Sequence, residues 1–148
     1  MTVDIETIWQ DRSQIEAIQS QRLGEMLQTI IPRNRFWTSK FQAAGVDVTG
    51  IRGIEDLTRL PLTQKQEMVD NQSEQPPYGS NLSFPSTCYR RLHQTSGTTG
   101  RPVRWMDTKE SWDWFMECWR QIYTLAGLQS WDRLFFPFSF GPFIGFWA

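Results

Sequence analysis

The final stretch of the chain, Leu134 to Ala148, is uncharged and strongly aromatic: LFFPFSFGPFIGFWA. A membrane-spanning helix needs about 20 apolar residues, and this stretch is shorter and is interrupted by prolines and glycines. Charge-free segments of this kind occur as strands and turns inside buried α/β cores. Because a complete domain rarely ends on its most apolar segment, we expect the sequence to be the N-terminal part of a longer protein.

Charge is unevenly distributed along the chain. Residues 1–74 hold 8 basic and 11 acidic residues with four aromatics, whereas residues 75–148 hold 7 basic and 5 acidic residues with 17 aromatics. The overall net charge of −1 argues against a general nucleic-acid binder. With two cysteines that lack C-x-x-C spacing and His93 as the single histidine, we expect no metal site and no disulfide framework. Asp4 and Glu6 stand where a signal peptide is basic and then apolar, so we expect a cytoplasmic protein without a membrane partner.

Residues 1–72 are expected to form a helical region of short amphipathic helices. Two capping boxes, Ser13 with Glu16 and Thr63 with Gln66, are expected to begin the first and the last of these helices. The spacing also predicts a helical turn over residues 54–60. The residues expected to end the helices are Pro32, Gly45 and Asn71.

Residues 73–148 are expected to contain a loop, a hairpin, a helix and the first strand of a buried sheet. Strands are predicted over residues 89–94 and 103–106, and another over residues 134–136. A capping box of Asp107 and Glu110 is expected to begin the helix, which Gly127 ends. The residues spaced for one face of this helix are Trp112, Phe115, Trp119, Ile122 and Ala126. Such a stripe is usually core, and a ligand platform is the alternative.

The polar loop that joins the two strands of the hairpin carries the strongest chemical signal. Gly97 and Gly100 permit backbone conformations that let successive N–H groups converge, and the hydroxyl side chains add further donors. Arg101 supplies a fixed positive charge, and no acidic residue occurs between Glu74 and Asp107. This combination suits a polyphosphate. A glycine-containing hairpin turn with solvated hydroxyls is the alternative.

The loop does not fit the phosphate-binding loop of kinases and GTPases. That pattern has four residues between its glycines, followed by Lys and Ser or Thr, whereas two residues separate Gly97 from Gly100. The loop is also expected to join two strands instead of opening a helix.

The segment Ser96-Gly-Thr-Thr-Gly-Arg-Pro102 resembles the phosphate-binding signature of the adenylate-forming superfamily. The wider sequence is similar to one branch, the phenylacetate-CoA ligases and coenzyme F390 synthetase-like proteins. The supporting segments are Gln14-Ile-Glu-Ala-Ile, Arg22-Leu23, Phe41 to Val46, Leu57 to Lys65, Leu92 to Gly100, Ala126-Gly-Leu and Asp132-Arg-Leu134. The resemblance implies an α/β fold, α+β-like in this part, in which N-terminal helices precede the sheet and helix layers of a large AMP-binding domain.

The resemblance also implies an ATP-dependent carboxylate–CoA ligase. In this family a carboxylate attacks the α-phosphorus of ATP to give an acyl-adenylate and pyrophosphate, and the thiol of coenzyme A then displaces AMP. The implied cofactors are ATP, magnesium and coenzyme A, and the implied substrate is a small carboxylate, with an aryl acid as one candidate. The adenine-binding segments and the catalytic lysine are expected beyond Ala148, so no catalytic residue is assigned here and the chain alone is expected to be inactive.

The resemblance assigns three groups of site residues. The residues expected to bind the ATP phosphates are Thr95, Ser96, Gly97, Thr98, Thr99, Gly100 and Arg101. Those expected to border the carboxylate pocket, with ordinary core as the alternative, are Phe138, Phe140 and Phe143. His93 matches a family histidine and is expected either to orient the loop or to be structural. The family loop usually has lysine where this chain has Arg101, which keeps the charge but changes the geometry. Arg90 and Arg91 are expected to be solvated, with contact to phosphate as the alternative.

Two other functions remain open at this level. The chain could be a non-catalytic truncated homologue that binds nucleotide phosphates or another protein. It could also be an interaction protein whose aromatic C-terminal stretch contacts a partner, including a second copy of itself.

Overall fold

The computed structural model describes residues 11–97, 100–137 and 141–146. Four of the expected site residues, Thr98, Thr99, Phe138 and Phe140, lie outside the described residues. The chain divides into two units, Met1–Phe84 and Pro85–Ala148.

The first unit is helical. Helix α1 spans Arg12–Ile30, α2 spans Arg35–Ala43 and α3 spans Lys65–Glu74. Between α2 and α3 lie two 3₁₀ turns, Val48–Gly50 and Ile54–Arg59, the second where a helical turn was expected.

Apolar side chains from three of these segments form the core of the first unit. Leu23 and Leu27 on α1 pack with Phe41 on α2 and with Ile51, and all four are buried. Half-buried Trp37 and Val46 extend this cluster. The helical spacing predicted for α1 therefore places its apolar face against α2.

The helix ends differ from the expected capping boxes by one or two residues. Helix α1 is capped by Asp11, whose carboxylate accepts from the Ser13 amide at 2.9 Å, while Glu16 pairs with Arg12 instead. The expected Ser13 box is wrong because Asp11 supplies the acceptor earlier in the chain. Helix α3 begins after Gln64, since Glu67 Oε2 accepts from the Gln64 amide at 2.6 Å.

Two of the three expected helix ends in this unit are correct, since α1 ends before Pro32 and α2 ends before Gly45. The end expected at Asn71 is wrong, because α3 continues to Glu74. Gly45 follows α2 with a φ of +65°, a left-handed conformation that favours glycine. Asn34 caps the start of α2 by accepting from the Trp37 amide at 3.2 Å. The amide of the same buried side chain donates to Asn81 and Ser83, which attaches residues 80–84 to the first unit.

The second unit begins with a 3₁₀ turn, Ser86–Cys88, and an antiparallel hairpin. Strand β1 spans Tyr89–Gln94 and strand β2 spans Arg104–Thr108. The register places His93 opposite Trp105 and Gln94 opposite Arg104. The first strand is as predicted, and the second begins one residue later than expected and extends to Thr108.

Helix α4, Lys109–Leu125, follows directly from β2. Its N-cap is Thr108, whose hydroxyl accepts from the Ser111 amide at 3.2 Å, so the expected cap by Asp107 is wrong. Asp107 is still the last-but-one residue of β2, and its side chain is used elsewhere. Gly127 has a φ of +77° just after the helix, as expected for a residue that ends it.

The aromatic stripe of α4 forms a continuous row of ring contacts. Successive ring centroids lie 5.0 Å apart for Trp112 and Phe115, 6.3 Å for Phe115 and Trp119, and 5.6 Å for Trp119 and Tyr123. These rings are half-buried, and Ile122 in the same stripe is 48% exposed. The rings of this stripe therefore pack mainly against one another, and none of them is fully buried by the rest of the described chain.

The strand expected over residues 134–136 is not present. Leu134 is 50% exposed and Phe135 is 86% exposed, and the sheet within the described ranges consists of β1 and β2. A strand needs a neighbouring strand for its backbone hydrogen bonds, and in the described ranges β1 and β2 form a sheet with each other alone. A 3₁₀ turn, Ile144–Phe146, follows.

The expected mixture of helices followed by the start of a sheet and its covering helix is confirmed. Among the residues described, no helix combines the length and the apolarity that a membrane crossing requires.

Candidate functional site

The hairpin loop between β1 and β2 is closed at its base by Thr95 and Val103. The Thr95 amide donates to the Val103 carbonyl oxygen at 2.9 Å, and the Val103 amide donates to Thr95 Oγ1 at 3.0 Å. Val103 is buried and Thr95 is exposed, so the closure lies at the border between the interior and solvent. The two bonds hold the ends of the loop together.

A tight turn follows inside the loop. Gly97 has a φ of +69°, and the Gly100 amide donates to its carbonyl oxygen at 2.9 Å. A Cβ on Gly97 would lie 2.9 Å from the Gly100 oxygen and 3.1 Å from Pro102 Cδ, which is too close. Gly100 has a φ of +154° with open space around the position of a Cβ. Both positions therefore favour glycine because of their positive φ, and at Gly97 a side chain would also clash with neighbouring atoms.

The tip of the loop presents polar and charged groups to solvent. Ser96, Gly100 and Arg101 are exposed. The nearest acidic residues in sequence are Glu74 and Asp107, outside the loop on either side. The described part of the loop therefore combines a positive side chain with accessible backbone, which favours an anionic ligand.

Part of the charge-free stretch lies beside the base of this loop. The Gln94 amide, at the end of β1, donates to the Pro142 carbonyl oxygen at 2.8 Å. Phe143 follows directly and is half-buried. Phe143 is one of the three phenylalanines expected to border a substrate pocket. It directly follows Pro142, the residue that contacts the base of the loop.

His93 lies buried two residues before the loop begins. It is 4% exposed, and its ring stacks on Trp112 of α4 with 5.4 Å between the ring centroids and 14° between the planes. His93 Nε2 lies 3.6 Å from Asp107 Oδ2 on β2. The side chain is thus held from two elements, which the sequence did not indicate.

Arg91 shares this environment. Its guanidinium carbon lies 4.3 Å from the centroid of the Trp112 ring, a cation–π distance. Arg91 is exposed, as expected for a solvated side chain, and it makes this ring contact in addition. Alternation along β1 was the signal that could have found this contact, since Arg91 and His93 lie on one face of the strand.

The described residues provide no metal centre. In the ranges covered by the structure, no group of three or more His, Cys, Asp or Glu side chains could hold a metal ion. Magnesium, if bound with ATP, would not find a ready-made set of protein ligands there.

Comparison with curated proteins identifies phenylacetate-CoA ligases as relatives. The chain is 32% identical over 142 residues to the phenylacetate-coenzyme A ligase of Thermus thermophilus, which is 96% of this chain. It is 30% identical over 132 residues to the enzyme of the same name from Escherichia coli, or 89% of this chain. The chain spans 30% and 29% of the length of these two relatives. No model of a protein family matches the chain.

Solved structures give the same result. A 2-hydroxyisobutyryl-CoA ligase in complex with 2-HIB-AMP and CoA matches with a TM-score of 0.63 and 26% identity, over 69% of this chain and 22% of that protein. Another structure of that ligase, in its postadenylation state, matches with a TM-score of 0.72 and 22% identity over 80% of this chain, which shows the fold alone. The resemblance to adenylate-forming CoA ligases, and to phenylacetate-CoA ligases in particular, is confirmed over most of this chain.

Proposed function

We propose that this chain supplies the ATP phosphate-binding part of an AMP-forming acid–CoA ligase. The observation that carries the proposal is the closed, glycine-dependent loop at residues 95–101, within a chain similar to phenylacetate-CoA ligases over 96% of its length. In such an enzyme the loop binds the β- and γ-phosphates of ATP. Their negative charge meets Arg101 and the exposed backbone of the loop.

The loop residues have distinct roles in this proposal. Gly97 and Gly100 set the backbone, and Ser96, Thr98 and Thr99 supply hydroxyl donors with Arg101 as the cation. Thr95 closes the base: its oxygen accepts from Val103, and its hydroxyl hydrogen is left for a further acceptor. Holding the leaving pyrophosphate in this way lowers the barrier by positioning and by neutralising charge, without an enzyme nucleophile.

The reaction proceeds in two steps. A carboxylate oxygen of the acid forms a bond to the α-phosphorus of ATP, and the bond from that phosphorus to the bridging oxygen breaks, which releases pyrophosphate. The sulfur of coenzyme A then forms a bond to the acyl carbon, and AMP leaves. The relatives' names, and the complex of 2-hydroxyisobutyryl-CoA ligase with 2-HIB-AMP and CoA, support ATP and coenzyme A as cofactors. Magnesium would neutralise charge on the phosphates.

An apolar, aryl-type acid is the substrate class that we propose. Phe143 follows Pro142, whose carbonyl oxygen accepts from Gln94 immediately before the loop. Apolar side chains beside the base of the loop would hold the apolar part of the acid substrate near the ATP phosphates. Phe138 and Phe140 would belong to the same group of side chains.

Self-association is a second candidate property, favoured by a specific observation. Trp131 is 76% exposed and Phe135 is 86% exposed, within a few residues of each other. Exposed apolar patches of this kind mark contacts with other proteins or with copies of the same chain. This also keeps the protein-binding module open as the alternative function.

A chimeric enzyme tests the proposed function. Residues of this chain replace the matching 142 residues of the Thermus thermophilus relative, and ATP–pyrophosphate exchange is measured with phenylacetate. We expect exchange that depends on both ATP and acid, and its loss in the same chimera with Arg101→Glu. Since the chain spans 30% of that relative, we expect the 148-residue chain alone to give background exchange. A folded chimera without exchange, or with exchange unaffected by Arg101→Glu, would contradict the proposal.

A further inference from the structure

Asp107 occupies a position between three elements of the second unit. It lies on β2, and its Oδ1 accepts from the Ser111 hydroxyl at 3.0 Å near the start of α4. Its other oxygen, Oδ2, is buried and lies 3.6 Å from His93 Nε2 on β1. One carboxylate thus connects the helix, the second strand and the residue that precedes the loop.

The contact between Asp107 and His93 matters because Oδ2 of the carboxylate is buried. Placing a carboxylate oxygen away from water costs free energy unless a polar group faces it. The imidazole of His93 is the polar group that faces this oxygen, with Nε2 at 3.6 Å. At 3.6 Å the contact is an ion-pair or polar contact rather than a short hydrogen bond.

Other neighbours leave His93 little freedom. Trp112 of α4 covers one face of its ring, and Arg91, two residues earlier on β1, lies over the same indole. The charged groups near His93 are thus Asp107 from β2 and Arg91 from its own strand. Because aromatic stacking resists tilting of the imidazole more than rotation in its plane, Asp107 is suited to fix that rotation.

Three consecutive residues then transmit this position to the loop. His93 is held by Asp107 and Trp112, the Gln94 amide donates to Pro142, and Thr95 makes both bonds to Val103. His93, Gln94 and Thr95 are joined by planar peptide units and each is anchored by a contact, so a shift of the His93 backbone is expected to be passed on to Thr95. A displacement of His93 would therefore move Thr95 and change the turn at Gly97.

We propose that Asp107 is a positioning residue that sets the conformation of the loop through His93. Its effect on ATP rests on the proposed function, whereas its effect on the loop does not. Asp107 would touch no substrate and would act by keeping the backbone of Gly97 and Gly100 ready for a phosphate.

Nuclear magnetic resonance of the ¹⁵N-labelled chain, without ligand, tests the proposal. Asp107→Asn keeps the shape and removes the charge. We expect it to shift the amide resonances of Gly97 and Gly100 and to speed hydrogen exchange at the Thr95 amide about fivefold, a factor that corresponds to about 1 kcal/mol. Asp113→Asn is the matched control, since Asp113 is an exposed carboxylate on α4 that pairs with Lys109. It is expected to leave the loop resonances in place.

A double variant tests the route through His93. His93→Phe keeps an aromatic ring against Trp112 but removes the nitrogen that faces Asp107. In this background, Asp107→Asn is expected to add no further change at Gly97 and Gly100. Unmoved loop resonances in Asp107→Asn, or an equally large effect of Asp107→Asn with and without His93, would overturn the proposal.

Two further arms keep the test decisive. Should Asp107→Asn not fold, Ser111→Ala removes the bond that fixes Asp107 from the helix side; it is expected to move the same resonances less, and no movement would overturn the proposal. With ATP added, Asp107→Asn is expected to weaken binding about fivefold, in line with the exchange factor, and Asp113→Asn to leave it unchanged. A wild-type chain that binds no ATP would refute the proposed function, while the resonances without ligand would still decide the role of Asp107.

Discussion

Thr95 and Val103 exchange two hydrogen bonds across the base of the loop, at 2.9 Å and 3.0 Å, and one of them uses the threonine hydroxyl. The hydroxyl oxygen accepts from a buried residue's amide, so Thr95 first of all holds the loop closed. The conformation of the described part of the loop then depends on a contact that is anchored on the buried side by Val103.

Thr95→Val is expected to open this closure. The substitution keeps the shape but leaves the Val103 amide without its acceptor, at a cost of about 1–3 kcal/mol. Hydrogen exchange at the Val103 amide should accelerate at least fivefold, while amides of α1 exchange as before. Thr95→Ser keeps the hydroxyl and is the control. Equal exchange at Val103 in wild type and Thr95→Val would refute the structural role of this bond.

Gly97→Ala is expected to be more damaging to the loop than Gly100→Ala. Both glycines have positive φ, but a Cβ on Gly97 would lie 2.9 Å from the Gly100 carbonyl oxygen, whereas a Cβ on Gly100 would meet nothing within 4 Å. Comparing ATP binding by the two variants checks this order. Gly24→Ala on α1 serves as a control, since it has open space and should raise helix stability by up to about 1 kcal/mol. A milder effect at Gly97 than at Gly100 would contradict the geometry.

The first unit is expected to lose stability in acid, in part through Glu67. The Lys40 ammonium, followed by the Gln64 amide, donates a hydrogen bond to this carboxylate and lowers the pKa of Glu67 from 4.5. A carboxyl whose pKa is lower in the folded state stabilises it above the unfolded pKa and loses this contribution as pH falls through the folded pKa. Urea unfolding followed by circular dichroism below pH 4.5 should therefore show a shallower pH dependence in Glu67→Gln than in wild type.

Asp70→Asn is the control for that experiment, because Asp70 lies on the same helix and its carboxylate accepts from the neighbouring Gln66 side chain. It should retain the pH dependence associated with Glu67. The same slope in Glu67→Gln as in wild type would show that this ion pair does not contribute.

Self-association is expected to depend on the exposed apolar residues after α4. Trp131→Ser with Phe135→Ser should raise the monomer fraction in size-exclusion chromatography, because both side chains are largely exposed in the single chain. Leu62→Ser is the matched control: Leu62 is 91% exposed but lies alone in the first unit. A wild-type chain that already elutes as a sharp monomer peak would rule out association through this surface.

Local sequence rules predicted the helices and the hairpin because their signals are local. The spacing of apolar residues predicted α1 and α4, and Pro32 and Gly127 predicted where these two helices end. The caps were less well predicted, because several adjacent residues can accept a hydrogen bond from the amides of the first helical turn. Asp11 and Thr108 are the N-caps in place of Ser13 and Asp107. The strand expected near Phe135 was wrong because a strand depends on its neighbours and not only on its own composition.

The candidate site was predicted in part. The loop and its glycines followed from residue types and from the resemblance to adenylate-forming enzymes. The contacts of His93 with Asp107 and Trp112 could not be predicted with confidence from spacing, since they join β1, β2 and α4 through the register of the hairpin. Asp107 illustrates the difficulty, because the same residue type in that place is equally suited to cap a helix.

Binding of ATP to the loop is the measurement that tests the central claim most directly. In a titration of the ¹⁵N-labelled chain, we expect the Gly97 and Gly100 amides to shift with ATP and with inorganic pyrophosphate, but not with adenosine. Arg101→Glu should weaken binding about tenfold or more, since bonds to charged groups contribute about 1.5–3 kcal/mol, while Arg101→Lys and the control Arg90→Glu should retain it. Loop amides that do not respond to ATP, or that respond equally in Arg101→Glu, would contradict the assignment of this loop to the phosphates of ATP.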